Sequence, residues 1–308
     1  MALGYDRRLY IVAFDHRGSF QKQLFGVGGE PTAEEARRIS DAKRVIWEGL
    51  ERALAEGVPR DAAGALVDER FGADIARAAK ERGLVLAMPA ESSGRPDFEF
   101  EYGEDFGTHI EAFDPTFTKV LVRYNAEGDR AMNERQAARL RRLSDWLHER
   151  GRKFLFELLV PAEPAQLEAV DGSTDRYDGE LRPRLVVDAI RELQDAGVEP
   201  DVWKIEGLDR REDCARAAEA ARRGGRDGVV CVVLGRGAND TVVEHWLRQG
   251  AGVSGYVGFA IGRTFWWDAL VAYRDGEATR EEAAERIAGK YRRMIEVWEE
   301  ATATAAAA

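Results

Sequence analysis

The stretch "DVWKIEGL", residues 201–208, sets Lys204 and Glu206 two positions apart in an otherwise apolar run. Side chains alternate faces along a strand, so both project to one side. Burying either charge without a partner is costly, which makes the pair a candidate for chemistry. "FTKVLVRY" (117–124) repeats the device, with Lys119, Leu121 and Arg123 on one face. "KFLFELLV" (153–160) puts Glu157 on a face with Leu155 and Leu159. If the three runs lie side by side, two lysines and a carboxylate share one interior. A second cation and a dry wall lower an amine's pKa and make it nucleophilic near neutrality. A neighbouring carboxylate can carry protons to and from a carbinolamine or a substrate hydroxyl. The chemistry this predicts is imine formation on Lys204, with Lys119 as the second cation, Glu157 as the proton carrier and Glu206 orienting the groups around them.

Other polar residues fall at the ends of comparable apolar runs. Asp15 closes "LYIVAFD" and is followed by His16 and Arg17, while Asp68 closes "GALVD" and Glu91 closes "LVLAMPAE". Asp68 and Glu91 can equally cap a helix or pair with an arginine, and His16 can reach a substrate or only stabilise its turn. Two later runs end in glycine–arginine turns, "LGRGAN" (234–239) and "IGRT" (261–264). Backbone N–H groups at such turns, each just before a helix, form an anion cradle. Gly235, Gly237 and Gly262 would supply it, and Arg236 and Arg263 could each add bidentate recognition of a phosphate. The expectation is one cavity in which Lys204 and both turns meet a phosphorylated carbonyl compound.

The elements that must position these residues alternate along the chain. Eight short apolar runs, at 9–15, 64–68, 84–91, 117–124, 153–160, 201–206, 228–234 and 255–261, are separated by amphipathic segments such as "NERQAARLRRLSDWLHERG". Eight strand–helix units predict a (β/α)8 TIM barrel, whose chemistry lies at the C-terminal ends of its strands and whose phosphate site is often after strands seven and eight. A doubly wound sheet would carry a glycine-rich turn after its first strand, where this chain has "DHRGSF". "SSGRPDFEFEYGEDFG" reads as a long loop over the site, and the segment after the fifth strand as another. "TREEAAERIAGKYRRMIEVWEEA" reads as an extra C-terminal helix at a subunit contact. No linker divides the chain, so residues 1–300 form one barrel domain and 301–308, "ATATAAAA", a disordered tail.

Composition narrows the partners. A formal net charge of −11 argues against nucleic acid, for which a basic face is expected. Two cysteines without metal-ligand spacing, no signal-peptide pattern and no run of ~20 apolar residues fit a cytoplasmic protein that is not in a membrane. Of four histidines only His16 stands near a strand end, so neither a metal nor another cofactor is expected. The residues thus point to a cofactor-free aldolase acting on a phosphorylated small molecule.

"LYIVAFDHRGSFQKQLFG", "FTKVLVRYN", "FLFELLVPA", "VEPDVWKIEGLDRREDC" and "GFAIGRTFWWDAL" resemble a bacterial domain family assigned as 2-deoxy-5-keto-D-gluconate 6-phosphate aldolase, which occurs alone or fused to the sugar kinase of myo-inositol catabolism. The resemblance runs from about residue 8 to 300. A more distant likeness is to class I tagatose-1,6-bisphosphate and sulfofructose-phosphate aldolases. It implies that Lys204 forms the Schiff base, that Lys119 and Glu157 assist, and that Asp15 joins them. It also implies dihydroxyacetone phosphate and malonate semialdehyde as products, and a homo-oligomer. A substrate of that kind needs a cation for its far carboxylate, and Arg17, Arg95 and Arg123 are candidates. Gly235-Arg236-Gly237 stands where the bisphosphate aldolases have a Ser-Ala-Gly turn. The competing readings are a metal-dependent aldolase, a transaldolase or isomerase on another ketose phosphate, and a non-catalytic partner domain of the kinase.

Overall fold

The computed structural model describes residues 2–307. Eight parallel strands follow one another around a closed barrel: β1 (Leu9–Ala13), β2 (Ala63–Leu66), β3 (Val85–Pro89), β4 (Phe117–Arg123), β5 (Lys153–Leu159), β6 (Val202–Glu206), β7 (Val230–Leu234) and β8 (Tyr256–Ile261). β8 pairs back onto β1, so the sheet has no edge. Each strand leads to a principal helix: α1 (Ala33–Ala55), α2 (Glu69–Glu81), α3 (Phe106–Phe113), α4 (Arg130–Glu149), α5 (Arg182–Asp195), α6 (Arg211–Arg222), α7 (Asp240–Gly250) and α8 (Arg263–Arg274). This is the expected TIM barrel, with α9 (Arg280–Ala307) as the extra C-terminal helix.

Local sequence fixes the starts of several helices. The Thr32 side chain accepts from Glu35 N and Glu35 returns the bond, a capping box for α1. Asp68, Asp129 and Asn239 cap α2, α4 and α7 in the same sense. Asp68 also pairs with the buried Lys43 of α1, so its role here is structural.

The barrel interior is packed by Leu9, Ile11, Ala13, Leu66, Ala87, Phe117, Leu155, Val202, Val232 and Ala260. The alternate residues, such as Phe154, Phe156, Trp203 and Ile205, face the helices. At Gly258, φ is +150° and a Cβ would lie 1.9 Å from the Leu9 carbonyl oxygen, so only glycine lets β8 close against β1 there. The N-terminal segment seals the bottom. Tyr5 packs edge-on against Phe117, and the buried Asp201 accepts from Gly4 N and Phe154 N, each at 2.8 Å.

α9 departs from one expectation. It runs on through Ala307, so residues 301–307 of the expected disordered tail are helical, alanine being the strongest helix former, and Ala308 lies outside the described residues. Its apolar face, including Ile287, Tyr291 and Trp298, is buried against this chain's own α1, α7 and α8. Among the described residues no helix is long and apolar enough to cross a membrane.

Candidate active site

Strand parity and register bring the sequence-predicted residues to one place. Glu157 on β5 is the neighbour of Lys204 on β6, and Lys119 lies one inward step below Leu121, the β4 neighbour of Glu157. Glu157 Oε2 is 3.1 Å from Lys119 Nζ and 3.0 Å from Lys204 Nζ. One carboxylate oxygen therefore joins two ammonium groups that are both buried. Lys119 Nζ also donates to Asp15 Oδ2 and Glu91 Oε1, each at 2.8 Å. β4, β5 and β6 and the segments just after β1 and β3 thus each contribute a charge to one cluster of Asp15, Glu91, Lys119, Glu157 and Lys204.

The charges in the cluster set one another's protonation. Burial opposes the charge of Lys119, but Asp15, Glu157 and Glu91 together outweigh it and hold the ammonium above its ordinary range. Burial would likewise raise the Asp15 carboxyl; Lys119, then His16 and Lys204, overcome it and hold Asp15 well below the carboxylate range. Glu157 is lowered by Lys119 and Lys204 against the same burial. Glu91 goes the other way, because burial prevails over Lys119 and Arg17. Lys119 is thus a fixed cation, and Glu157 an ionised carboxylate able to take a proton.

A cavity of about 170 Å³ opens over this cluster. Asp15, Glu91, Lys119 and Glu157 stand on its wall, with His16, Arg17, Leu121, Arg95 and Arg123 around them. The loop after β3 forms part of that wall from Glu91 to Phe98, held by an antiparallel bridge between Glu91 and Phe100. The lining agrees with the expected loop over the site. Burial pushes the His16 imidazole down to about 4, with Arg263 adding to it and Asp15 opposing, so the ring is neutral at pH 7. It packs edge-on to Trp266 at 5.4 Å and its Nδ1 has no hydrogen-bond partner.

Four expectations are revised. Lys204 is not on the wall of this cavity; it reaches that wall through Glu157. The glycine turns do not border it either. Gly237 and Arg263 line a second cavity of about 420 Å³ with Thr264, Asn239 and Lys290. The His16 ring lies against the turn after β8, since a Cβ on Gly262 would lie 3.0 Å from His16 Cε1. Arg236 turns its guanidinium away from the cradle, to Asp178 Oδ2 at 2.5 Å and Glu206 Oε1 at 3.1 Å. Glu206 does not orient Lys204. It is buried among Arg236, Arg182 and the Val160 N–H, which it accepts at 2.9 Å.

The turn after β7 has an unusual backbone. Arg236 (φ +52°) and Gly237 (φ +76°) both lie in the left-handed region, and Arg263 donates to the Arg236 carbonyl at 2.9 Å. A Cβ at Gly237 would meet the Arg263 guanidinium at 2.8 Å, so glycine lets that cation lie flat on the turn.

Sequence reasoning missed Asp178 and Arg182, which hold the Glu206–Arg236 pair from the segment after β5. Asp178 lies in one irregular helical turn and Arg182 opens α5, so neither stands inside a repeat long enough to mark its face. It also missed Lys43, although Ile39, Lys43 and Ile46 at helical spacing place that lysine on the apolar face of α1. Glu101, which faces Arg17 at 3.4 Å, sits in the loop that the sequence did mark.

The model of one family, described as uncharacterized protein conserved in bacteria (DUF2090), matches residues 4–302. No curated protein matches the chain. The fold is similar to that of fructose-bisphosphate aldolase from Plasmodium falciparum, solved with TRAP and a small-molecule inhibitor, at TM-score 0.66 and 13% identity, covering 96% of this chain and 91% of that one. An archaeal fructose 1,6-bisphosphate aldolase gives a TM-score of 0.59 at 14% identity, covering 94% and 93%. Fructose-bisphosphate aldolase from Slackia heliotrinireducens gives 0.56 at 15% identity, covering 92% and 86%. At such identities the likeness is one of fold.

Proposed function

Starting from the chain's membership of the DUF2090 family, we propose that it is a class I aldolase whose Lys204 forms a Schiff base with a phosphorylated ketose. The observation that carries the reading is the single Glu157 oxygen that joins Lys119 and Lys204. An amine that must attack a carbonyl needs a proton acceptor at hand, and Glu157 touches Lys204. A purely structural lysine–glutamate pair would not need a second lysine or the two further carboxylates around it.

The substrate that fits best is 2-deoxy-5-keto-D-gluconate 6-phosphate, as the sequence resemblance implies. Lys204 attacks the C5 ketone once the incoming substrate takes its place beside Glu157, and water leaves the carbinolamine to give an iminium. Glu157 takes the proton of the C3 hydroxyl, the C3–C4 bond breaks, and its electrons pass to the iminium to form an enamine. Malonate semialdehyde leaves. Protonation at C4 and hydrolysis then release dihydroxyacetone phosphate and restore the free amine. Lys119 remains charged throughout and steadies the Asp15, Glu91 and Glu157 carboxylates. The phosphate belongs at the Gly235–Gly237 turn and Arg263.

Borohydride reduction in the presence of dihydroxyacetone phosphate tests the reading. A stable adduct should form and map to the peptide carrying Lys204, and Lys204→Ala should neither form it nor turn over. An adduct on another lysine, or none with any phosphorylated ketose, ends the proposal.

A further inference from the structure

We infer that Arg123, with Arg95 beside it, reads an anionic group at the end of the substrate's aldehyde half, so that the site selects short acidic aldehydes. This rests on the Schiff-base reading and extends it to specificity.

Position comes first. In a closed eight-strand barrel β4 lies across from β8. The strand order then runs from the glycine turns after β7 and β8, through Lys204 on β6 and Glu157 on β5, to Arg123 at the end of β4. A ketose phosphate held by its phosphate at the first wall, bonded at β6 and cleaved at β5 presents its remaining carbons to β4. What stands there is the small cavity, with Arg17, Arg95 and Arg123 among its lining residues.

The three arginines are not equivalent. Arg17 is almost fully buried and committed: it donates to the Glu91 carbonyl at 2.6 Å and faces Glu101 at 3.4 Å. Although its Nε is unpartnered, its guanidinium already holds the loop after β3 in place. Arg123 is exposed at the mouth, and among the described residues the one partner of its guanidinium is the Arg95 carbonyl at a long 3.4 Å. Arg95 meets Glu99 only loosely, at 3.6 Å. The other acid on this part of the wall, Asp97, is already paired with Arg139. Two guanidinium groups with free donors therefore face a cavity whose remaining carboxylates are occupied by Lys119. Such forks bind carboxylate, sulfonate or phosphate oxygens alike.

The test runs the reaction in the direction of bond formation. Dihydroxyacetone phosphate is the donor, and the acceptors are malonate semialdehyde, a sulfonated and a phosphorylated aldehyde of similar length, and neutral propanal. The parent enzyme should prefer an anionic acceptor, and the three anions rank carboxylate, sulfonate and phosphate as the natural end group. Arg123→Gln should cost about tenfold or more in kcat/KM for the preferred anion, chiefly through KM, and leave propanal unchanged. Arg123→Lys should recover part of the loss, and Arg95→Gln should act in the same direction more weakly. Borohydride trapping of dihydroxyacetone phosphate should be the same in all variants. Equal losses for propanal and the acids, or intact selectivity in Arg123→Gln, overturn the inference, as does weakened donor trapping, which would mean that the arginine serves the donor's phosphate. If the parent forms no Lys204 adduct, the aldolase reading fails instead. The rim is then judged by NMR titration with 3-hydroxypropionate, whose binding Arg123→Gln must abolish.

Discussion

At the scale of single residues, the cluster around Glu157 divides the labour among like groups by their surroundings. Lys119 touches three carboxylates, whereas Lys204 touches one. That asymmetry makes the first a fixed counter-charge and, under the proposed function, suits the second to form the Schiff base. Lys119→Met would strand Asp15, Glu91 and Glu157 in a dry interior, so it should cost roughly 3–5 kcal/mol in urea unfolding as well as activity. Glu157→Gln should lower kcat by about 10²–10⁴-fold, the usual worth of a proton carrier. His16 offers a separate test through pH. Its folded pKa, about 4, lies below the ordinary histidine value, so the unfolded chain takes up a proton first as pH falls. Its contribution to stability is present above about pH 6.5 and is lost between there and about pH 4. The parent should lose stability over that window more steeply than His16→Gln; equal slopes would show that the imidazole titrates as it does in water. Asp15 and Glu157, both held low, add a loss only at more acid pH, as each protonates below its unfolded value.

At the scale of elements, what the sequence made legible follows from periodicity. Apolar runs with alternating faces marked all eight strands, and the parity of Lys119, Glu157 and Lys204 put them inside the barrel. Periodicity assigns a face but not a partner. Glu206 has the parity of Lys204, yet its neighbours come from a turn after β7 and the segment after β5, neither of which has a repeating pattern. For the same reason the glycine turns were visible as backbone shapes, while the side chain between them, Arg236, was not traceable to Asp178. The tail was misread from composition alone, because low complexity in alanine favours helix. α9 supplies a test at this scale. A Cβ on Gly49 of α1 would lie 2.6 Å from Ile287 Cγ2 and 3.1 Å from the Ala284 carbonyl oxygen, so the two helices touch only because that position is bare. Gly49→Val should force them apart and destabilise the fold by about 1–3 kcal/mol. Borohydride trapping at Lys204 in the molecules that remain folded should be unchanged, because α9 adds nothing to the wall of the cavity over Glu157 and only Lys290 to the second cavity.

The whole molecule separates stability from chemistry along the barrel axis. At the N-terminal end the buried Asp201 gathers Gly4 N, Phe154 N, Lys153 and His148, tying the N-terminal plug, β5 and α4 together. Burial works against its charge, but those hydrogen bonds and Lys153 prevail and hold the carboxyl below its ordinary range. At the other end the charged groups are equally buried, yet their partners are one another, and all of them but Lys204 face a cavity. Substitutions at the two ends should therefore fail in different ways. Asp201→Ala leaves two backbone N–H groups without their acceptor and Lys153 with backbone carbonyls alone, a cost on the order of 3 kcal/mol. It should lower the urea midpoint, while kcat and KM per folded molecule stay at the parent values. Lys204→Ala removes one of the two cations at Glu157 but leaves Lys119 in contact with it, so it should abolish turnover with a much smaller change in midpoint. Measured together, unfolding and turnover of the two variants form a crossed pair. If Asp201→Ala instead altered KM in molecules that remain folded, the ends of the barrel would be coupled, and the division of roles drawn here would be wrong.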